Sequence, residues 1–177
     1  KYTAVDGTAA LKKAVIAKFE RDNGFSYKPN EILVSSGGKQ SIFNLALALL
    51  NAGDEVLIPA PYWVSYPDIA LLADATPVFV TATQESGFKI TAEQLRAAIT
   101  PRSRLMFLTS PSNPTGAAYS AEELSALADV LREHPDIVIA TDDMYEHILF
   151  GGAKFVNILN VAPDLAPRTV VPNGVSQ

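Results

Sequence analysis

The sequence predicts a three-layer α/β/α fold with a mainly parallel sheet, and three observations lead to that prediction. Short apolar runs typical of strands alternate along the chain with segments whose apolar residues recur at helical spacing. Several runs, such as 137–140, are apolar at every position, as in strands that helices cover on both faces. With 177 residues, the chain is long enough to bury a core without disulfides or a structural metal.

In the first half of the chain, segments with helical spacing of apolar residues alternate with short apolar runs typical of strands. Leu11, Val15 and Phe19 lie at helical spacing, and Asn23-Gly24 supplies a stop signal. Pro67 is expected to delay the start of the third helix, because proline is tolerated only in a first turn. In chain order, the predicted elements are a helix at 11–19, a strand at 32–34, a helix at 39–50, a strand at 55–58, a helix at 63–73 and a strand at 77–80.

The second half repeats the scheme with clearer helix starts. Thr91 and Ser120 each begin a helix as part of a capping box, in which Gln94 and Glu123 occupy the third helical position. Further strands are predicted at 105–108, 136–140 and 169–171. Since no internal repeat or interdomain linker interrupts the pattern, residues 1–177 are predicted to form a single domain.

Composition excludes several classes of protein. The net charge is −5, which disfavours nucleic-acid binding through a basic surface, and no apolar run approaches the ~18 residues of a membrane span. The absence of cysteine excludes a disulfide scaffold, a thiolate metal site and a cysteine nucleophile. Because no signal-peptide pattern opens the sequence, we expect a cytoplasmic chain that contacts neither membrane nor nucleic acid.

The candidate site is predicted from the topology. Ligands of open parallel sheets bind beyond the carboxyl ends of the strands, so the residues that follow each predicted strand are its candidates. These segments combine glycines, aromatic rings, amides and carboxylates. In chain order they are 35–39 (SSGGK), 59–63 (PAPYW), 109–116 (TSPSNPTG) and 141–145 (TDDMY).

The glycine pair Gly37-Gly38, followed by Lys39, joins a predicted strand to a predicted helix. Glycines allow a backbone to approach an anion closely, and the first N–H groups of a helix point at it. An ordinary tight turn is the alternative. The segment is not a P-loop, since Gln40 follows the lysine, and no G-x-G-x-x-G motif favours a dinucleotide.

Two further candidates follow strands. Trp63, the only tryptophan, is suited to stack on a planar ligand, or else it is an ordinary core or surface aromatic. Asn113 can donate its amide to a ligand oxygen, and its bond to Pro114 is a candidate cis peptide. A plain surface turn explains the same residues.

Asp142 ends an apolar strand, where a carboxylate is costly unless it is paired. It is a candidate metal ligand, general base or partner of a protonated ring nitrogen, and a helix cap is the alternative. Tyr145 lies three residues on, within reach of the same pocket. His147 has acidic neighbours, but no second histidine or ligand spacing accompanies it, so a metal site is disfavoured.

Taken together, these motifs resemble the large domain of class I, fold-type I pyridoxal-phosphate aminotransferases, and the aspartate aminotransferase branch in particular. Each motif is weak alone, whereas their order and spacing along the whole chain are specific. The motifs that carry the resemblance are Tyr2 with Asp6-Gly7, Gly37-Gly38-Lys39-Gln40, Pro61-Tyr62-Trp63, Asn113-Pro114-Thr115-Gly116 and Asp142-Asp143-Met144-Tyr145-Glu146.

The resemblance implies a role for each residue around pyridoxal 5'-phosphate. Gly38 and Lys39 would hold the phosphate, and Trp63 would stack on the pyridine ring. Asp142 would bind the protonated pyridine nitrogen, which makes the ring a better electron sink. The remaining roles are bonds to the ring 3-oxygen from Asn113 and Tyr145, and a contact from Tyr2 to the phosphate of the neighbouring subunit.

The chain also departs from the family pattern. Where the family has Asn-Gly-x-Ser followed by the Schiff-base lysine, this sequence has Gln177, and an amide cannot form an imine. The resemblance therefore implies a truncated large domain, without the small domain or the substrate-binding arginines. We expect this chain to bind the cofactor non-covalently at most and to be inactive, with no catalytic residue of its own.

The expected parent reaction is transfer of an amino group between an amino acid, aspartate by resemblance, and a 2-oxo acid, within a homodimer. Truncation is expected to leave apolar surface exposed and to favour self-association. Two alternatives stay open: a non-catalytic, regulatory pyridoxal-phosphate-binding module, and another fold-type I enzyme such as a lyase or synthase.

Overall fold

The computed structural model describes residues 2–174, which contain a five-stranded sheet. The strands are β1 (Glu55–Ala60), β2 (Thr76–Thr81), β3 (Ser103–Thr109), β4 (Val138–Asp142) and β5 (Thr169–Val170). They lie in the order β2-β1-β3-β4-β5, and every neighbouring pair is parallel, which confirms the predicted sheet.

Helices cover both faces of the sheet, which confirms the three-layer prediction. Alternate residues of one strand point to opposite faces, so Phe107 of β3 joins one apolar cluster while Met106 and Leu108 join the other. The helices are α1 (Ala9–Asn23), α2 (Gly38–Leu49), α3 (Ser65–Leu72), α4 (Ala92–Ala98), α5 (Ala121–Arg132) and the short α6 (Ile158–Val161), with 3₁₀ turns at Pro29–Glu31 and Pro163–Arg168.

The helix ends follow the local chemistry of the sequence. Both predicted capping boxes form: the Thr91 hydroxyl accepts from the Gln94 backbone N–H, and the Ser120 hydroxyl accepts from that of Glu123. Helix α1 ends at Asn23 because Gly24 adopts the left-handed conformation, with φ of 73°. The unpredicted helix α6 begins at a third box, built on Asn157.

The strand predicted at 32–34 is wrong. Its backbone is extended at Ile32, but no strand among the described residues lies beside it, and a strand needs a hydrogen-bonded neighbour. The Val34 N–H donates instead to the carbonyl of Asp6, at 3.1 Å. Leu33 is consequently exposed.

Several element boundaries differ from the predictions, and two of these differences have a clear physical cause. Strand β4 begins at Val138 rather than at position 136, because the Ile137 N–H still donates to the His134 carbonyl in the turn after α5. Helix α3 begins at Ser65 rather than at position 63, which confirms the delay expected from Pro67. Pro67 occupies the first turn, where a helix needs no N–H donor.

This topology brings the ends of β1, β3 and β4 to one edge of the sheet. Thr109, at the end of β3, pairs in register with Asp142, at the end of β4. Helices α2 and α3 pack together over the sheet face that carries Phe107, so their first residues approach the same edge. Within residues 2–174, no helix is both long and apolar enough to span a membrane.

Replacing Ser120 with alanine is expected to lower the free energy of unfolding by about 1 kcal/mol, since it removes the hydroxyl that caps α5. Urea denaturation followed by circular dichroism measures the change. Ser125→Ala, within the same helix, is the control and should be neutral or slightly stabilising, because alanine is the better helix former. Equal losses from the two substitutions would contradict the capping role.

Candidate functional site

Asp142 lies at the end of β4, at the edge of the sheet where the carboxyl ends of β1, β3 and β4 meet. Its carboxylate is only 7% exposed. One oxygen, Oδ2, accepts from the Tyr66 hydroxyl at 2.6 Å, and Oδ1 accepts from the Met144 backbone N–H at 3.3 Å. Burial raises the pKa of Asp142, and these two hydrogen bonds oppose the rise. Asp142 is therefore held in place by neutral donors.

Tyr66 is a site residue that the sequence analysis missed. It projects from α3, and its hydroxyl lies 2.7 Å from Thr109 Oγ1 as well as contacting Asp142. Its ring stacks on Phe107, with the ring centroids 4.5 Å apart, and is 2% exposed. Burial and the nearby Asp142 raise the pKa of Tyr66 well above its usual value, so the hydroxyl stays protonated and donates. The sequence signal that could have identified it is its spacing, since Tyr66 follows the candidate Trp63 by three residues, about one helical turn.

Trp63 and Lys39 approach each other across the site. The indole is partly buried and meets the Tyr66 ring edge to face, with centroids 5.4 Å apart. The Lys39 Nζ atom lies 5.1 Å from the centroid of the Trp63 ring, within the range of a cation–π contact. The structure thus brings the start of α2 to the face of the tryptophan.

Gly38 is buried at the first position of α2, and Gly37 before it has a positive φ of 92°. A Cβ atom at Gly38 would lie 2.7 Å from the methyl carbon of Met144. A side chain at this position would therefore displace the end of the Met144 side chain. No side chain caps the first turn of α2 from the Gly37 position, which leaves backbone N–H groups directed outward.

Asn113 and Tyr145 are brought together from separate loops. The amide Nδ2 of Asn113 lies 3.5 Å from the Tyr145 hydroxyl, and both side chains are partly buried. The Asn113-Pro114 peptide is cis, as expected, and the bonds before Pro61 and Pro111 are cis too. The two polar side chains therefore lie side by side at the carboxyl ends of the strands.

Two other residues considered in the sequence analysis are exposed, and a third is not described. Tyr2 is fully exposed and makes no hydrogen bond to the cluster described above. His147 is exposed beside Glu146, and across residues 2–174 no three acidic or histidine side chains are grouped as metal ligands would be. Gln177 lies outside the described residues.

Asp143 is a second buried carboxyl group, 1% exposed. The Thr141 hydroxyl donates to Oδ1 at 2.8 Å, and the Asn157 amide donates to Oδ2 at 2.6 Å. Burial dominates and raises the pKa of Asp143 to about 8. This side chain faces Asn157, away from the Tyr66 hydroxyl that binds Asp142.

The fold and these positions define the class of protein: an α/β domain whose polar site lies at the carboxyl edge of a parallel sheet. Comparison with known families is more specific. Residues 1–177 match the family model described as aminotransferase class I and II, so the chain belongs to the class I and II aminotransferases.

Comparison with individual proteins also finds aminotransferases. The chain is 64% identical to the aspartate/prephenate aminotransferase of Nitrosomonas europaea and covers 45% of it. It is 56% identical to the protein of the same name from Cereibacter sphaeroides, of which it covers 44%. All 177 residues align in both cases, so the chain spans less than half the length of these relatives.

Solved structures show the same fold. The aspartate aminotransferase of Rhizobium meliloti superposes with a TM-score of 0.97 at 51% identity, over 100% of this chain and 44% of that one. The Thermus thermophilus aspartate aminotransferase with maleate gives a TM-score of 0.92 at 43% identity, over 100% of this chain and 45% of that one. The large-domain fold expected from the resemblance is therefore confirmed.

This family uses pyridoxal 5'-phosphate, and one observation tests whether the described residues fit it. Asp142 is buried, yet among residues 2–174 no lysine, arginine or histidine lies within ion-pair distance of it. A protonated pyridine nitrogen is the kind of cation that would compensate such a carboxylate. The carboxylate therefore fits the cofactor.

The pKa of Asp143 predicts a pH-dependent stability. An unfolded aspartate titrates near its ordinary value of about 3.9, so raising the pH from about 4 to 8 releases a proton from the unfolded state first. The contribution of Asp143 to the free energy of unfolding is therefore largest in acid. It should fall by up to about 1.4 kcal/mol per pH unit across this window.

Urea denaturation at several pH values, with Asp143→Asn as the comparison, measures this effect. The stability of the native chain relative to the variant should fall steadily between pH 5 and 8, because the variant carries no titrating group at that position. A difference that is independent of pH would show that Asp143 is ionised throughout.

Proposed function

We propose that this chain forms the cofactor cradle, the large-domain portion, of an aspartate-type aminotransferase. The observation that carries the proposal is the buried carboxylate of Asp142, which is held by two neutral donors and lacks a basic partner among residues 2–174. In this proposal, Asp142 binds the protonated nitrogen of the pyridine ring. The favourable ion pair then offsets the cost of burying the carboxylate.

The other side chains surround the same ring. Trp63 stacks on the ring face, and its edge-to-face contact with Tyr66 fixes the indole. Asn113 and Tyr145 lie 3.5 Å apart and together bind the 3-oxygen. Gly38 and Lys39 bind the phosphate at the start of α2, where outward N–H groups and the helix dipole favour an anion.

The bound cofactor supplies an electron sink for the carbanion at the substrate α-carbon. The residues of this chain orient the ring and keep its nitrogen protonated. Tyr66 and Thr109 support this by fixing the Asp142 carboxylate. The names of the relatives, aspartate/prephenate aminotransferase, support aspartate and the 2-oxo acid prephenate as substrates of the whole protein.

The whole protein is proposed to be a cytoplasmic homodimer. Tyr2 is fully exposed, which suits a residue that reaches the phosphate of a neighbouring subunit. Large apolar side chains are also exposed in the single chain, among them Val64, Leu72 and Phe150. Covering such side chains by a second copy would favour association.

Gln177 is proposed to occupy the position of the Schiff-base lysine. An amide there leaves the chain unable to hold the cofactor covalently or to move the α-proton. For the chain of 177 residues, this favours a binding module over a working enzyme. That is the specific observation behind the second candidate function, non-catalytic cofactor binding.

Titration with pyridoxal 5'-phosphate tests the cradle. The fluorescence of Trp63, the only tryptophan, should be quenched as the ring stacks on it. Asp142→Asn should weaken binding by roughly tenfold to a hundredfold, since it removes a charged hydrogen bond of about 1.5–3 kcal/mol. The 1-deaza analogue, which lacks the ring nitrogen, should bind both forms equally.

Asp129→Asn is the matched control, because Asp129 is an exposed carboxylate on α5. It should leave the affinity unchanged. Absence of quenching in the native chain, or equal binding of the cofactor by the Asp142 variant, would overturn the proposal.

Gln177→Lys tests the lysine position. After incubation with pyridoxal 5'-phosphate and reduction with borohydride, peptide mapping should find the cofactor on residue 177 of the variant and on no lysine of the native chain. The native chain should also show no turnover of aspartate and 2-oxoglutarate above a cofactor-only background. Labelling of Lys39 in both proteins would instead place the cofactor aldehyde near α2.

A further inference from the structure

Glu146 lies just after the turn that carries Asp142 and Tyr145, and it is a third buried carboxylate, with its side chain 3% exposed. Three side chains donate to it. Lys18 and Asn23 come from α1, and Asn173 comes from the segment after β5. Its own backbone N–H donates to the Asp143 carbonyl at 3.1 Å. Glu146 therefore joins three parts of the chain that are distant in sequence.

The hydrogen bonds that their Oδ1 atoms accept fix the orientation of the side-chain amides of Asn23 and Asn173. Asn23 Oδ1 accepts from the Lys18 ammonium group at 2.9 Å, so its Nδ2 is left to donate to Glu146 Oε2 at 2.8 Å. Asn173 Oδ1 accepts from the Gly174 backbone N–H at 2.7 Å, and its Nδ2 donates to Glu146 Oε1 at 2.9 Å. These partners all donate, so a carboxylate satisfies them and an amide cannot.

The charge of Glu146 is also maintained. Burial by itself raises the pKa of this carboxyl, but donation from Lys18, Asn23 and Asn173 outweighs it and holds the pKa below the ordinary value. The exposed His147 ring adds a nitrogen 3.4 Å away. Glu146 is therefore an ionised acceptor at neutral pH, in contrast with Asp143.

Glu146 binds Asn173 in the segment 172–174, and Met144 links this segment to the candidate cofactor site. A Cβ atom at Gly174 would lie 2.7 Å from the methyl carbon of Met144, which is also the distance that a Cβ at Gly38 would have from the same carbon. Met144 thus lies between the start of α2 and Gly174. The Pro172 carbonyl accepts from the Asp143 N–H at 3.0 Å, which closes the segment onto the turn.

We infer that Glu146 is a positioning residue for the cofactor cradle: by binding Asn173, it fixes the 172–174 segment against Met144 and holds the turn that presents Asp142 and Tyr145. The inference rests on the proposed cofactor-binding function. It assigns Glu146 no contact with the cofactor itself.

Glu55 provides a matched control for this inference. It too is a buried carboxylate, 3% exposed, and it too is bound only by donors, which come from Thr100, Arg102 and Ser103. However, it begins β1, at the opposite end of the strands from the candidate site. A purely structural role for Glu146 would make the two carboxylates equivalent.

Glu146→Gln and Glu55→Gln should both lower the thermal midpoint, because each leaves a donor facing the new amide group. Only Glu146→Gln should weaken binding of pyridoxal 5'-phosphate, by about tenfold, when Trp63 fluorescence is measured at a temperature where both variants are folded. Equal affinities of the two variants would overturn the inference.

A second measurement separates this inference from the proposed function. Hydrogen exchange of the Gly174 amide, followed by nuclear magnetic resonance without cofactor, should be faster in Glu146→Gln and unchanged in Glu55→Gln. If the native chain does not bind the cofactor, the proposed function fails, while this exchange still decides whether Glu146 fixes the segment. Unchanged exchange in Glu146→Gln would overturn the positioning role.

Discussion

The rest of the structure depends on the hydrogen bonds that compensate three buried carboxyl groups. Asp142, Asp143 and Glu146 lie within five residues of one another, and all three are at most 7% exposed. A buried carboxylate without donors is strongly destabilising, and among the described residues every buried side-chain nitrogen or oxygen has a partner. The donors come from α1, from α3, from the residue that caps α6 and from the segment after β5, so the surrounding fold must be complete before the turn is stable.

Each carboxyl group is balanced in a different way. Asp142 has two neutral donors and a raised pKa, and it lacks a cation among the described residues. Asp143 meets a hydroxyl and an amide, and its pKa of about 8 favours the protonated form. Glu146 has the ammonium group of Lys18 and remains charged. Neither aspartate has a cation among the described residues, but only Asp142 contacts Tyr66 and faces the candidate site, so Asp142 is the one suited to a cationic ligand.

Local signals predicted most of the fold, while contacts between distant segments escaped the sequence. The caps at Thr91 and Ser120 depend on residues three positions away, so they could be read directly. The strand predicted at 32–34 was wrong because a strand needs a hydrogen-bonded neighbouring strand, which a local sequence pattern does not reveal. Tyr66 lies 76 residues from Asp142, and neither its bond nor the packing of Met144 on Gly38 has a local pattern. The segments chosen by motif do come together at the carboxyl ends of the strands, as the topology predicted.

The contact of Met144 with two glycines has an evolutionary consequence. The end of one methionine side chain occupies the space that a Cβ would enter at position 38 or at position 174, so the three positions share one volume. A larger residue at either glycine requires that the Met144 side chain move or that position 144 become smaller. Across related sequences, these positions should therefore vary together, and a substitution tolerated in one relative can be damaging in another.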